Sequence, residues 1–136
     1  MEIPAAIKGA DSEKITINLG FVDLGQVDLL VSEGFYSNRT DFIRTAIRYQ
    51  LDRHGDTVKQ LITRRELDLG LRHITRRDLE AAKAEGTVLH VHVLGLATIA
   101  ADVSPELARD TIASLRVLGA LQASPEIKAA LRDRIL

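Results

Sequence analysis

Residues Glu13–Leu19 alternate without a break. Ile15, Ile17 and Leu19 fall on one face of an extended chain, and Lys14, Thr16 and Asn18 on the other. Strict period-two alternation predicts a half-buried strand. A lone strand has no ladder to join, and the sequence that follows offers no second strand to pair with. The partner it predicts is the same strand from another copy of the chain. Two such strands would make a shared ribbon with one polar face.

Two helices are predicted next. Asp23 reads as an N-cap, with Leu24, Val27, Leu30 and Val31 recurring at helical spacing, and Gly34 as the stop. Asn38-Arg39-Thr40-Asp41 resembles a capping box, and Asp41 sits where the helix dipole favours an anion. Phe42, Ile43, Ala46, Ile47 and Leu51 form an apolar stripe, with Arg44, Arg48 and Arg53 mainly off it. This second helix is expected over 39–53, with Gly55 as another stop.

Lys14–Leu19 followed by Gly34-Phe35-Tyr36-Ser37-Asn38-Arg39-Thr40-Asp41-Phe42-Ile43-Arg44-Thr45-Ala46-Ile47-Arg48 resembles the ribbon-helix-helix family of DNA-binding proteins (MetJ/Arc/CopG type) over about 40 of the 136 residues. The resemblance implies an intertwined homodimer whose two-stranded antiparallel ribbon enters the major groove of double-stranded DNA, while the second helix grips a phosphate. Carried onto this sequence, Lys14, Thr16 and Asn18 are the base-facing positions. Lysine donates to guanine, asparagine pairs with adenine, and threonine serves either. Ser37, Asn38, Arg39 and Thr40 stand where the family holds the phosphate, at a helix start whose free amides favour anions. On residues alone, the same positions also read as a solvated strand face and an ordinary helix cap.

Charge runs against a simple electrostatic binder. Through Gly55 the chain carries six Lys/Arg and eight Asp/Glu, a net of −2, against −1 for the whole chain. Phosphate neutralisation supplies much of the affinity of nucleic-acid binders. Modest affinity per dimer is therefore expected, with dependence on operator shape or on several dimers binding side by side.

The absence of cysteine removes disulfides and thiolate chemistry and fits a cytoplasmic protein. There is no leader-like segment and no apolar run of membrane-spanning length, so no membrane partner is expected. Residues 1–12 read as a flexible arm, 13–55 as the DNA-binding domain, and 56–136 as a second domain. All five aromatic residues precede residue 50, and that change of texture marks the seam at Gly55-Asp56.

The second domain carries a weak repeat. Leu69-Gly70, Leu94-Gly95 and Leu118-Gly119 are spaced by 25 and 24 residues. Thr75-Arg76-Arg77-Asp78, Ser104-Pro105-Glu106 and Ser124-Pro125-Glu126 are helix-opening signals in matching places. Strand–helix units are expected at 67–74 with 76–84, 88–99 with 105–115, and 117–123 with 125–135. Together they predict an α+β protein: a ribbon-helix-helix domain followed by a small α/β domain of about three strand–helix repeats. That domain is either solenoid-like or a packed α/β unit without true repeats, and it serves oligomerisation or an effector.

His90 and His92 lie two apart on one strand face. They resemble the His-x-His strand of nickel-responsive ribbon-helix-helix regulators, which implies a divalent metal. That family also supplies a cysteine, which this chain lacks, and the Gly/Ala-rich stretch after Val93 departs from its pattern. His73 is the one further candidate ligand, and a polar strand face is the plainer reading, with no cofactor. No nucleophile, phosphate loop or paired carboxylates support an enzyme. Arg64-Arg65 and Arg76-Arg77 extend a DNA footprint, bind an acidic partner, or are solvated. The function expected is a transcriptional regulator, a repressor, that dimerises through its ribbon and assembles further through its second domain. The rivals are a structural or antitoxin-like protein whose C-terminal domain binds a protein partner, and a metal-responsive regulator using His90 and His92.

Overall fold

The structure, a computed structural model, describes residues 12–136; the arm expected at residues 1–12 lies outside them except for Ser12. The described chain forms two compact units, Ser12–Leu61 and Ile62–Leu136.

In the first unit, residues 12–20 carry neither helix nor strand. A strand is defined by its ladder, and no second strand occurs among the described residues of this unit, so the alternating segment stays unpaired within one chain. Helix α1 spans Phe21–Ser32. Its N-cap is Gly20 rather than Asp23, which lies in the first turn, where its charge complements the helix dipole. Gly34, at φ 88°, closes α1. The amides of Gly34 and Phe35 donate to the carbonyls of Val31 and Leu30 at 3.1 and 3.0 Å, the pairing made possible by a left-handed residue after the last turn. Helix α2 spans Arg39–Arg53, as expected. Gly55 is not a stop: it opens helix α3, Gly55–Arg64, because His54 already accepts from the Val58 amide at 2.9 Å. The seam between the units therefore falls inside α3, beyond Gly55-Asp56.

The second unit contains three parallel strands in the order β1 (Asp68–Ile74), β2 (Leu89–Ile99) and β3 (Ile112–Gln122). Each is followed by a helix: α4 (Arg76–Glu85), α5 (Pro105–Thr111) and α6 (Pro125–Ala130), the last leading into a 3₁₀ turn at Arg132–Arg134. The anticipated helix starts are all present. Thr75 and Asp78 form a reciprocal capping box, and the hydroxyls of Ser104 and Ser124 accept from the amides of Leu107 and Ile127 at 3.1 and 3.2 Å.

Three boundaries differ from expectation by more than one residue. Helix α5 ends at Thr111 instead of continuing to Leu115, and β3 begins at Ile112 instead of Val117. Leu89 pairs with Ile112, but His90 pairs with Ser114, so Ala113 is an extra residue in the ladder. Such a bulge turns Ile112 and Leu115 to the same face, imitating helical spacing in the sequence. The last expected helix is also shorter, because beyond it Ile135 bridges to Leu115 and the Leu136 amide donates to the Leu115 carbonyl at 2.9 Å.

The core lies on one face of the sheet. Ile74, Val91, Val93, Ala97, Ile99, Ile112 and Leu115 pack there against Leu79 of α4, Ala108 of α5 and Ile127 and Leu131 of the last segment. Ion pairs run from helix to helix on the outside of this layer, Lys83 to Asp110 at 3.1 Å and Arg109 to Asp133 at 2.9 Å.

The register places Gly70, Gly95 and Gly119 side by side. Their φ angles are 113°, 140° and 121°, a region reserved in practice for glycine. A Cβ on Gly95 would fall on the Gly70 carbonyl, 2.9 Å from its carbon, and one on Gly119 would meet the Gly95 carbonyl carbon at 3.0 Å. No described residue crowds Gly70. Gly95→Ala is therefore expected to destabilise this unit by roughly 2–6 kcal/mol, backbone strain plus steric displacement. Gly70→Ala should cost only the ~1–3 kcal/mol of its backbone conformation. Urea midpoints followed by far-UV circular dichroism compare the two, and equal losses would remove crowding from the explanation.

The capping box also sets an acid limit. The Thr75 backbone amide, followed by the Thr75 side chain, holds the Asp78 carboxyl below its ordinary range. A lowered carboxylate stabilises the fold above its unfolded value of about 3.9, and that contribution is lost as pH falls through the lower folded value. Wild type should therefore lose stability below about pH 4 more steeply than Asp78→Asn, measured by thermal melts across the acid range. Parallel curves would show that this carboxylate contributes nothing to acid lability.

Candidate nucleic-acid interface

Lys14, Thr16 and Asn18 are all exposed on the unpaired segment before α1. Between them Ile15, Ile17 and Leu19 are 80, 56 and 42% exposed, so within a single chain neither face of the alternation is buried. The two chemistries remain segregated by the alternation itself: three hydrogen-bonding side chains at even positions and three aliphatic ones at odd positions.

The second group lies at the start of α2. The turn from α1 brings Tyr36 against Phe42, ring centroids 5.0 Å apart and edge to face. Asn38 is the N-cap, and its Oδ1 accepts from the Asp41 amide at 2.8 Å. The Asp41 carboxylate accepts from the Ser37 amide at 2.9 Å, one residue earlier than in the standard reciprocal box. These bonds use the amides of Ser37 and Asp41. The first-turn amides of Arg39 and Thr40 have no intrahelical acceptor, as helix geometry requires, and their donors make this end suited to an anion. Ser37, Asn38, Arg39 and Thr40 are all exposed.

Arg39 has a partner that the sequence did not disclose. Its Nε and Nη2 donate to the two carboxylate oxygens of Asp28 on α1, both at 2.8 Å. This hydrogen bonding, reinforced by the opposite charge, lowers the Asp28 carboxyl from its usual range and raises the guanidinium. The fork is fixed by the pair, which ties the start of α2 to α1. Only the donors left over from Asp28 remain for a phosphate.

The histidines belong to the other unit. His90 and His92 lie on the sheet face opposite α4–α6, and Ser114 Oγ sits 2.8 Å from His90 Nδ1 and 3.2 Å from His92 Nε2. One hydroxyl thus lies within hydrogen-bond distance of both rings. His73 is hydrogen-bonded to Thr98 and aligned with it across the sheet, six residues along β2 from His92. At about 3.3 Å per residue that is roughly 20 Å. The three histidines are not brought together within one chain, and no group of three His, Asp or Glu side chains able to hold a metal occurs among the described residues.

Of the arginine pairs, Arg76 is engaged by Glu80 at 3.3 Å and Asp102 at 3.8 Å. Arg64, Arg65 and Arg77 are exposed. No helix among the described residues is long and apolar enough to cross a membrane.

No curated protein and no solved structure gave a significant match to the chain. The family model for the ribbon-helix-helix transcriptional regulators, however, matches residues 10–128, spanning the alternating segment, α1 to α3 and nearly all of the strand–helix unit. The chain belongs to the ribbon-helix-helix transcriptional regulator family.

Proposed function

We propose that this chain is a sequence-specific DNA-binding repressor that acts as a dimer through residues 13–19 and assembles further through its strand–helix unit. The observation that carries the dimer is the burial of the first unit. Val27 is the one buried side chain among residues 12–61, while Ile15, Ile17, Phe21, Leu29, Phe35 and Ile47 are each more than half exposed. A unit of this size with one buried side chain has no core of its own. A second copy supplies it: the two alternating segments pair antiparallel, turn Ile15, Ile17 and Leu19 inward, and present Lys14, Thr16 and Asn18 to the major groove.

In this reading the start of α2 grips a phosphate on either side of the ribbon, through the Arg39 and Thr40 amides with Ser37 and Asn38. Arg39 acts chiefly as the brace that holds that helix start against α1, because Asp28 already takes its fork. The strand–helix unit is a short solenoid-like stack. It compensates for the small net charge of the DNA-binding part by linking dimers, so that a second half-site contact becomes intramolecular.

Lys14→Ala with Asn18→Ala should lower operator affinity by 100-fold or more, taking about 1–3 kcal/mol for each base-reading side chain removed from each strand. The double variant should still dimerise by sedimentation. Unchanged affinity for a fragment of the protein's own upstream region, titrated with nonspecific competitor, would remove the ribbon from DNA recognition. Deleting residues 62–136 should leave a dimer that binds one site with a lower Hill coefficient. If the shortened protein bound paired sites as cooperatively as the whole, the second unit would have no part in assembly, and a role in binding another protein would take its place.

A further inference from the structure

The sheet of the second unit has a second face. Opposite α4–α6, the register sets out rows across the strands: His90 with Ser114, His92 with Arg116, Leu69 with Leu94 and Leu118, Leu71 with Leu96 and Ala120, and His73 with Thr98 and Gln122. Two rows of five leucines and an alanine thus lie between polar rows at either end. Leu69 and Leu71 are 70 and 65% exposed and Leu118 44%, while Leu94 and Leu96, on the middle strand, are half-buried. Parallel strands normally have both faces covered, and their sequences become apolar on both. The two leucine rows make the middle of this second face apolar, while α4–α6 lie on the other face.

We infer that the same face of a second copy covers it, and that this contact joins two ribbon-linked dimers into a tetramer. The assembly step rests on the dimer proposed above. Three features of the face select a copy of itself. The two central rows carry no charge, and Arg116 is the one Lys, Arg, Asp or Glu among the face positions. Turned through a two-fold axis with strands antiparallel, the leucine rows meet leucine rows. The His92–Arg116 end then faces the His73–Thr98–Gln122 end of the other copy, which holds no Lys, Arg, Asp or Glu, so the two arginines lie apart. The third feature is size. At about 4.8 Å between strands and about 6.7 Å between rows, with β1 missing from the two histidine rows, the face covers roughly 400 Å², about half of what each partner of a standard interface contributes. One such contact is too small to hold a free partner. Two formed together between two dimers reach the standard size, and the ribbon makes the second contact intramolecular.

The test is the mass and the cross-linking of the full-length chain. Wild type at micromolar concentration should sediment at four times the 15.0 kDa chain mass. Leu94→Asp should weaken dimer–dimer association by roughly 100-fold or more, leaving a dimer with wild-type far-UV circular dichroism. Because the chain has no cysteine, Leu94→Cys offers a single thiol on this face. A short bis-maleimide should join two copies there, and should not do so at Glu80→Cys on the exposed side of α4. A wild-type dimer with no cross-link at Leu94→Cys would overturn the face contact while leaving the ribbon dimer standing. So would a tetramer that survives Leu94→Asp. A wild-type monomer would overturn the dimer beneath it, and with it the tetramer.

Discussion

The close approach of adjacent glycine positions governs the second unit. At Gly95 and Gly119 the backbone lies so near the carbonyl of the glycine on the preceding strand that no side chain fits, and φ is positive at all three glycines of the column. A slip by one residue would place Leu94 or Leu96 against that carbonyl and would also turn the core set of β2 away from the helices. Register, the inward placement of Val91, Val93, Ala97 and Ile99, and the leucine rows of the other face are therefore consequences of one steric constraint. The spacings of 25 and 24 residues differ by one, yet the column stays aligned because strand pairing, not chain length between strands, defines it.

Much of this was legible in the sequence for identifiable reasons. Helix starts were readable because a cap is a local device: Asn38, Thr75, Ser104 and Ser124 each accept from an amide three residues on, whatever the rest of the molecule does. The Leu-Gly repeat was readable as a spacing, although its meaning, a packed column of backbones, is tertiary. The missed boundaries share another cause. Ala108, Ile112 and Leu115 have helical intervals, but Ala113 is a bulge, and a bulge in a strand and a turn of helix leave the same trace in an apolar pattern. Helix α3 was missed because Gly55 was read as a terminator, a role that requires the left-handed conformation. Gly55 takes up the first position of a helix instead.

The candidate interface was legible in its residues and less so in their partnerships. Alternation and capping locate Lys14, Thr16, Asn18 and Asn38 with no knowledge of the fold. The Arg39–Asp28 pair spans two helices and has no sequence periodicity to reveal it. Its effect is to exchange a mobile cation for a fixed one, which trades electrostatic reach for geometry. That suits a chain whose net charge is −1, since long-range attraction to DNA is weak and the placement of a few donors counts for more.

The single buried side chain of residues 12–61 has a kinetic consequence. The second unit has its core within one chain and can form it at a rate independent of abundance. A unit whose core is assembled from two chains orders in a bimolecular step, and its lifetime is tied to dissociation. A newly made molecule would then spend its first moments with one half folded and the other waiting on an encounter. On the proposed dimer, scarce protein would be open to proteolysis in the first unit and guarded in the second. If the first unit completes its core as the proposed dimer, the threshold at which the protein becomes active is set by its own concentration.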